Sequence, residues 1–397
     1  MKEYLKELSG DTFNAVVTDN IESIKEDWNA TTRDSFYYDP RYLKVLEEKG
    51  PNKYQYFYCL LKRNGDPVAV YYFQKKQISL YEDFRLHTHS KNPIVKFFVW
   101  LQRQSFRLIN QQLLVAGNVL LTGEYSFYYC QDCDTDTKTK ISDFVFKSTC
   151  EYVKHKSGKK VSAILSKDFY VEEKFKVDDF YGSNFTKFKV QPDMVVSINQ
   201  DWRSYDDYLA AVKSKYRVKF KKVAKRGGAL EFRDLNVEDL ESLNDEMYAL
   251  YSKTADKASF SLFKLHPEYF LELKKIFGDD FIVRGVFLNG KMVAFFTIII
   301  NGKNADAHFL GYDVSLNSKH QIYFNVLLKL VEAAILQRAE YLNLSRTALE
   351  IKSSVGAEPY AMHIYLKHNT NFLNKLLPVI LARIVPKEDW IQRVPFK

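Results

Sequence analysis

Apolar runs of strand length recur in two matching settings along the chain. "YFYCLLKRNGDPVAVYYF" (Tyr56–Phe73) and "FIVRGVFLNGKMVAFFTI" (Phe281–Ile298) each set an apolar run before Asn-Gly and open a second run with Val-Ala. Asn-Gly between apolar runs predicts a tight hairpin, because both central turn residues need positive φ. Each hairpin is followed, at a distance, by an apolar helical stretch and a short strand ending in Ser and a cation. These strands are "KKVSAILSK", ending Ser166-Lys167, and "AEYLNLSR", ending Ser345-Arg346. The shared order predicts a tandem duplication. The N-terminal domain covers 1–198, is degenerate and carries an insertion at about 75–120, around "KKQISLYEDFRLHTHSKNPIVKFFVWLQRQ"; the C-terminal domain covers 199–397.

The second half reads in more detail. A helix starts at Ser204 with Asp207 as its capping partner and runs through "YLAAVKSKYRVKFKKVAKR" to Gly227-Gly228. Helices over 237–254 and 267–277 lead to a strand meander over 281–288, 292–301 and 305–313. A helix from about Ser318 to Arg338 keeps Tyr323, Val326, Leu327, Leu330, Val331, Ala334 and Ile335 on one face. A strand over 341–344, a loop and a last strand, "YAMHIYLKH", complete the order. The predicted class is α/β: an α+β sandwich of two tandem domains, each a mixed, largely antiparallel sheet flanked by helices.

Composition narrows the function. With 397 residues, 46% hydrophobic and 27% charged, the chain has material for more than one core. The net charge of +9 favours anionic partners. The start, "MKEYLKELSG", lacks a signal peptide's apolar core, and "LLPVILARIV" (Leu376–Val385) is too short to span a bilayer. We expect a cytoplasmic protein, with that last segment as a packed helix or as a peripheral contact at the inner face of a membrane. Four cysteines make no disulfide framework. Cys130 and Cys133 in "CQDC" have the spacing of half a zinc site and no second pair follows, so no metal is expected. Gly-x-Ser-x-Gly, Walker and His-Glu-x-x-His motifs are missing, which removes the chemistries they carry.

The segments "KSKYRVKFKKVAKRGGALEF", "NGKMVAFFTIIINGKNADAHFLGYDVSLN", "HQIYFNVLLKLVEAAILQRAEYLNLSRT" and "ALEIKSSVGAEP" together resemble the Gcn5-related N-acetyltransferase (GNAT) superfamily, in its tandem FemAB-like and BioF2-like branch. The resemblance covers about Tyr205–His368; the first half joins it more weakly, through the repeat and "AGNVLLTGEYSFYYCQD". It implies two GNAT-like domains and an acyl thioester held in a V between two splayed strands, here 305–313 and 341–344. It also implies a pyrophosphate over a helix N-terminus, where amides and the helix dipole favour an anion. The family's glycine-bearing pyrophosphate loop is replaced by "LNSKHQIYFN", so Ser318, Lys319, His320, Gln321 and Asn325 are the expected cofactor contacts.

The resemblance implies an N-acyltransferase moving an acyl group from acyl-CoA, acetyl or longer, to a small amine, amino acid or amino sugar by direct aminolysis. That reaction needs a positioned amine, a route for its proton and donors for the oxyanion. Glu350, Tyr312 and Asp313 are the catalytic candidates. Arg346, Thr347, Lys352, Lys215 and Lys219 are the substrate-binding ones, the two last standing in a cationic row with Lys222 and Arg226. The alternatives are a FemAB-type ligase drawing aminoacyl groups from tRNA for a peptidoglycan-like precursor, and a non-catalytic binding protein on the same fold. The cationic row leaves tRNA or an anionic lipid surface as further partners, and a single active site near the domain junction is expected.

Overall fold

The computed structural model describes residues 1–32, 35–79, 110–130, 134–176, 178–257, 263–384 and 390–397. The middle of the anticipated insertion and Cys133 lie outside these described residues. Both predicted hairpins form, β3–β4 (Tyr54–Arg63, Asp66–Ser79) and β10–β11 (Phe281–Leu288, Lys291–Asn301). Their turns put Asn64-Gly65 at φ 51° and 100°, and Asn289-Gly290 at φ 52° and 78°. That is the conformation for which Asn-Gly was read.

One sheet runs through the whole chain. The remaining strands are β1 (Lys2–Leu8), β2 (Asp11–Thr18), β5 (Asn110–Ala116), β6 (Phe127–Tyr129), β7 (Ala163–Tyr170), β8 (Thr186–Ser197), β9 (Leu230–Asp234), β12 (Asn304–Tyr312), β13 (Tyr341–Asn343) and β14 (Glu358–His368). Their order is β1-β2-β3-β4-β5-β7-β14-β8-β13-β12-β11-β10-β9, with β6 paired to β4. The repeat is visible in the pairing. Within each half the hairpin's second strand meets an antiparallel neighbour, β5 or β12, which then runs parallel to β7 or β13. The halves also exchange strands: β8 ends the first half yet pairs with β13, while β14 inserts between β7 and β8.

Packing follows the same division. One face of the sheet buries a single core drawn from both halves, with Trp28, Tyr42 and Tyr58 continuous with Tyr269, Phe270 and Phe281. The opposite face carries separate cores. Helix α3 (Thr135–Ser157) covers the first half's strands there. The second half is covered by α4 (Tyr205–Ala211), α5 (Ser214–Arg226) and α9 (Ile322–Leu336). Helices α6 (Val237–Lys257) and α7 (Tyr269–Phe277) lie on the shared core, α7 against α2 (Pro40–Lys49). A short α1 (Lys25–Thr31) belongs to that layer, and α11 (Asn371–Ile384) ends the helix order.

Three expected elements differ. The helix from Ser204 starts with the anticipated capping box but is two helices. Val212 leaves the helical region at φ −81°, ψ 151° and bridges to Phe396. The helix expected from Ser318 is also two: α8 (Val314–His320) and α9, separated by Gln321 in the left-handed region. The loop after β13 contains a short helix, α10 (Leu349–Ser353).

Candidate functional site

β12 and β13 pair in parallel over three residue pairs only, the last being Asp306 with Asn343. Beyond that pair β12 continues to Tyr312 while the other chain turns away. The opening is a cavity of about 570 Å³, walled by β12 from Ala307 to Tyr312, by Tyr323, Leu327 and Leu330 of α9, and by the departing tail from Leu344 to Lys352. His308 on this wall accepts or donates a 2.9 Å hydrogen bond with the Tyr269 hydroxyl, and burial pushes its imidazole down to about 3.

The tail is locally strained. Ser345, Thr347 and Ala348 all have positive φ, at 61°, 71° and 49°. Residues with side chains adopt that region only where their surroundings over-determine it, at a cost of order 1 kcal/mol each. Here the restraint is Lys352, buried beneath the turn, whose Nζ donates to the carbonyls of Ser345 (3.1 Å) and Arg346 (2.6 Å). Asn343 Oδ1 accepts from the Ser345 amide at 2.7 Å, and Thr122 of the first half meets the Ser345 hydroxyl at 2.7 Å. Burial pulls the Lys352 ammonium down to about 7.

A buried ionic cluster joins the halves under this turn. Arg346 sits with Nη1 2.9 Å from Oδ1 of Asp168, which also meets Lys167. Asp193 is fully buried; its Oδ2 accepts from the Tyr170 hydroxyl (2.6 Å) and Asn343 Nδ2 (2.8 Å), while Oδ1 has no hydrogen-bond partner. Burial raises this carboxyl to about 6 despite the Tyr170 hydrogen bond. Lys167 occupies the position of the first half that corresponds to Arg346. Its Nζ donates to the carbonyls of Asn118 (3.1 Å) and Leu121 (2.6 Å), and so holds the chain's own loop in the gap beyond the β5–β7 pairing.

Two further cavities adjoin the cleft. At the domain junction a cavity of about 370 Å³ is walled by Tyr38, Tyr125, Tyr128, Tyr170, Phe175 and Tyr341, with Asp306, Asn304 and Asn343 at the strand junction. Its lining residues Asp306 and Asn343 immediately precede Ala307 and Leu344, which line the cleft. Asp306 Oδ2 accepts from the Tyr37 hydroxyl at 2.7 Å, and burial together with the nearby Asp193 raises its carboxyl to about 7. On the other side, a cavity of about 880 Å³ shares Ala348 and Ile351 with the cleft and is lined by Lys215, Lys219, Gln321, Glu350, Trp390 and Arg393.

The predicted site residues therefore divide into three sets. Tyr312, Arg346, Thr347 and Lys352 come together in the cleft. Lys215, Lys219, Gln321 and Glu350 line the basic cavity, where Glu350 pairs with Arg393 (Nε–Oε1 3.0 Å) instead of facing the strand junction. The others line neither of these two cavities. Asp313 caps α8, accepting from the Ser315 amide (2.9 Å) and hydroxyl (2.6 Å), and those bonds hold its carboxyl below the usual range. Ser318 and Lys319 lie inside α8, and His320 is buried at its end. Asn325 is buried and donates to the carbonyls of Val223 (3.2 Å), His320 (3.1 Å) and Gln321 (3.1 Å). It ties α5 to the α8–α9 break, and its amide donors are engaged there.

Asp306, Asp193, Asp168 and Tyr37 were not found from the sequence. The available signal was Asp306, a charged residue inside the apolar strand "NADAHFL". Among the described residues no group of three His, Cys, Asp or Glu side chains stands close enough to hold a metal. No helix among them is long and apolar enough to cross a membrane.

The fold and its split cleft define a tandem GNAT architecture. A solved tandem GNAT protein from the clavulanic acid biosynthesis pathway superposes with a TM-score of 0.50 at 8% identity, covering 90% of this chain and 98% of that one. FemX superposes with a TM-score of 0.49 at 10% identity, over 91% of this chain and 99% of its own. The C-terminal domain of a lysylphosphatidylglycerol synthetase assignment from Agrobacterium fabrum aligns with 69% of this chain and 82% of its own, at 13% identity and a TM-score of 0.41. No protein-family profile matches the chain, and no curated protein matches it in sequence.

Proposed function

We propose that this protein is an N-acyltransferase that takes an acyl group from acyl-CoA and delivers it to an amine by direct aminolysis. The observation carrying this reading is the parting of β12 and β13 after Asp306 and Asn343, which opens a largely apolar cleft between a basic cavity and an acidic one. The donor's phosphates lie with Lys215, Lys219, Gln321 and Arg393, and its thioester arm follows β12 into the cleft. The amine enters from the Asp306 side. Its nitrogen attacks the thioester carbonyl, the C–N bond forms and the C–S bond breaks. Asp306 takes the proton lost by the amine, and the departing thiolate is protonated from the Tyr312 side of the cleft. A carboxyl near 7 is matched to such an exchange at neutral pH. Arg346 and Lys352 hold the strained tail that forms the far wall.

The exposed cationic face of α5 beside an open cavity favours a second reading, in which an aminoacyl-tRNA supplies the acyl group to the same amine site. Thermal shift with CoA, acetyl-CoA and longer acyl-CoA separates the two, since a ligand of the native state raises apparent stability. A shift with thioesters is expected. Silence at millimolar thioester, together with a salt-sensitive tRNA complex, would replace the first reading with the second.

A further inference from the structure

We infer that the junction cavity binds an organic ammonium, so that the acceptor is a cationic amine carrying no carboxylate or phosphate of its own. The assignment as acceptor rests on the acyltransferase reading; the binding claim does not.

Three observations carry it. First, the chain has 58 Lys and Arg against 49 Asp and Glu, yet among the described residues the lining of this cavity includes Glu124 and Asp306 and no Lys, Arg or His. Glu124 accepts from the amides of Tyr170 (2.6 Å) and Asp178 (3.2 Å). An amino acid or sugar phosphate would bring its anion against two acidic side chains, with Lys174 outside the lining, whereas an ammonium would be attracted by them. Second, six aromatic residues supply the walls, and aromatic faces attract ammonium groups through their quadrupole. Third, the protein already uses two of these rings in that way. Lys174 Nζ lies 4.7 Å from the Tyr341 ring centroid and 5.2 Å from that of Phe175, and it also donates to Ser197 and Tyr360 hydroxyls. Lys174 is exposed, so it stands at the rim as a built-in competitor for the cavity's aromatic wall.

That competitor gives a test in which binding increases. Butylammonium, tetramethylammonium, neutral butanol and butyrate are titrated into the intact protein without any thioester, by calorimetry or tyrosine fluorescence. Both ammonium probes should bind, with butanol and butyrate weaker by about tenfold or more. Lys174→Met should strengthen ammonium binding about threefold to fivefold, by removing a like charge and freeing the rings. Asp306→Asn, which keeps an acceptor for Tyr37, should weaken it about tenfold. A gain in the Lys174 variant cannot arise from misfolding. The inference is overturned by butanol or butyrate matching butylammonium, by ammonium binding that ignores both substitutions, or by no ammonium binding at tens of millimolar. An acyl-CoA thermal shift beside any of those results would leave the acyltransferase reading standing, and ammonium binding without such a shift would do the reverse.

Discussion

Arg346, at the end of the second half's tail, sets Nη1 2.9 Å and Nη2 3.2 Å from the carboxylate of Asp168, a fully buried residue of the first half. The contact ties the wall of the cleft to the other domain, so cleft geometry and domain docking depend on one another. Arg346→Ala leaves Asp168 with Lys167 as its remaining cation and should destabilise the protein by about 2–4 kcal/mol. Urea unfolding measures this. A loss under about 0.5 kcal/mol would show the pair to be a solvated surface contact.

Lys352 should impose a pH dependence on stability. Its ammonium titrates near 7 in the folded chain against 10.5 when unfolded. Between those values the unfolded chain carries a proton that the folded one lacks, so stability rises with pH by up to about 1.4 kcal/mol per unit and is lost as pH falls through 7. Asp306 acts in the opposite sense at lower pH. Its raised carboxyl contributes stability below the unfolded value that is lost as pH rises through about 7. Lys352→Met should flatten the alkaline slope alone. Equal slopes in the variant and the parent would place the titration elsewhere.

Turnover should rise with pH through about 7 as Asp306 becomes able to accept a proton. Asp306→Asn should lower kcat about a hundredfold or more, because general-base catalysis contributes on that scale. Its Tm should stay close to the parent's, since Tyr37 can still donate to the amide oxygen. Full turnover in this variant would remove Asp306 from the proton route.

Glu350 and Lys219 should separate in steady-state kinetics. Glu350 is engaged by Arg393 in an exposed pair, so Glu350→Gln should leave kcat within about twofold. Lys219→Glu reverses a charge in the basic cavity and should raise KM for acyl-CoA about tenfold with a smaller effect on kcat. The reverse pattern would return the catalytic role to Glu350.

Local and periodic features were legible in the sequence. Asn64-Gly65 and Asn289-Gly290 need positive φ, Ser204 and Asp207 cap one another, and the apolar face of α9 follows a helical period. Each depends on residues a few positions apart, and the repeat made the second set readable from the first. The same reasoning placed Tyr312, Arg346, Thr347 and Lys352 around one cleft, because the tail leaves a strand whose neighbour was identifiable. The remaining features depend on contacts between segments far apart in the chain. Val212 breaks the expected long helix because its backbone pairs with Phe396, and Asn325 becomes a clamp because α5 brings the Val223 carbonyl to it. Asp193 and Tyr37 are unremarkable in sequence, and Asp306 shows there only as a charge inside an apolar strand. They come together at the junction because β14 and β8 cross between the halves and one core runs through both, bringing carboxylates from distant segments close to one another. Burial and charge proximity set those proton affinities, and both belong to the assembled sheet, not to the order of residues along it.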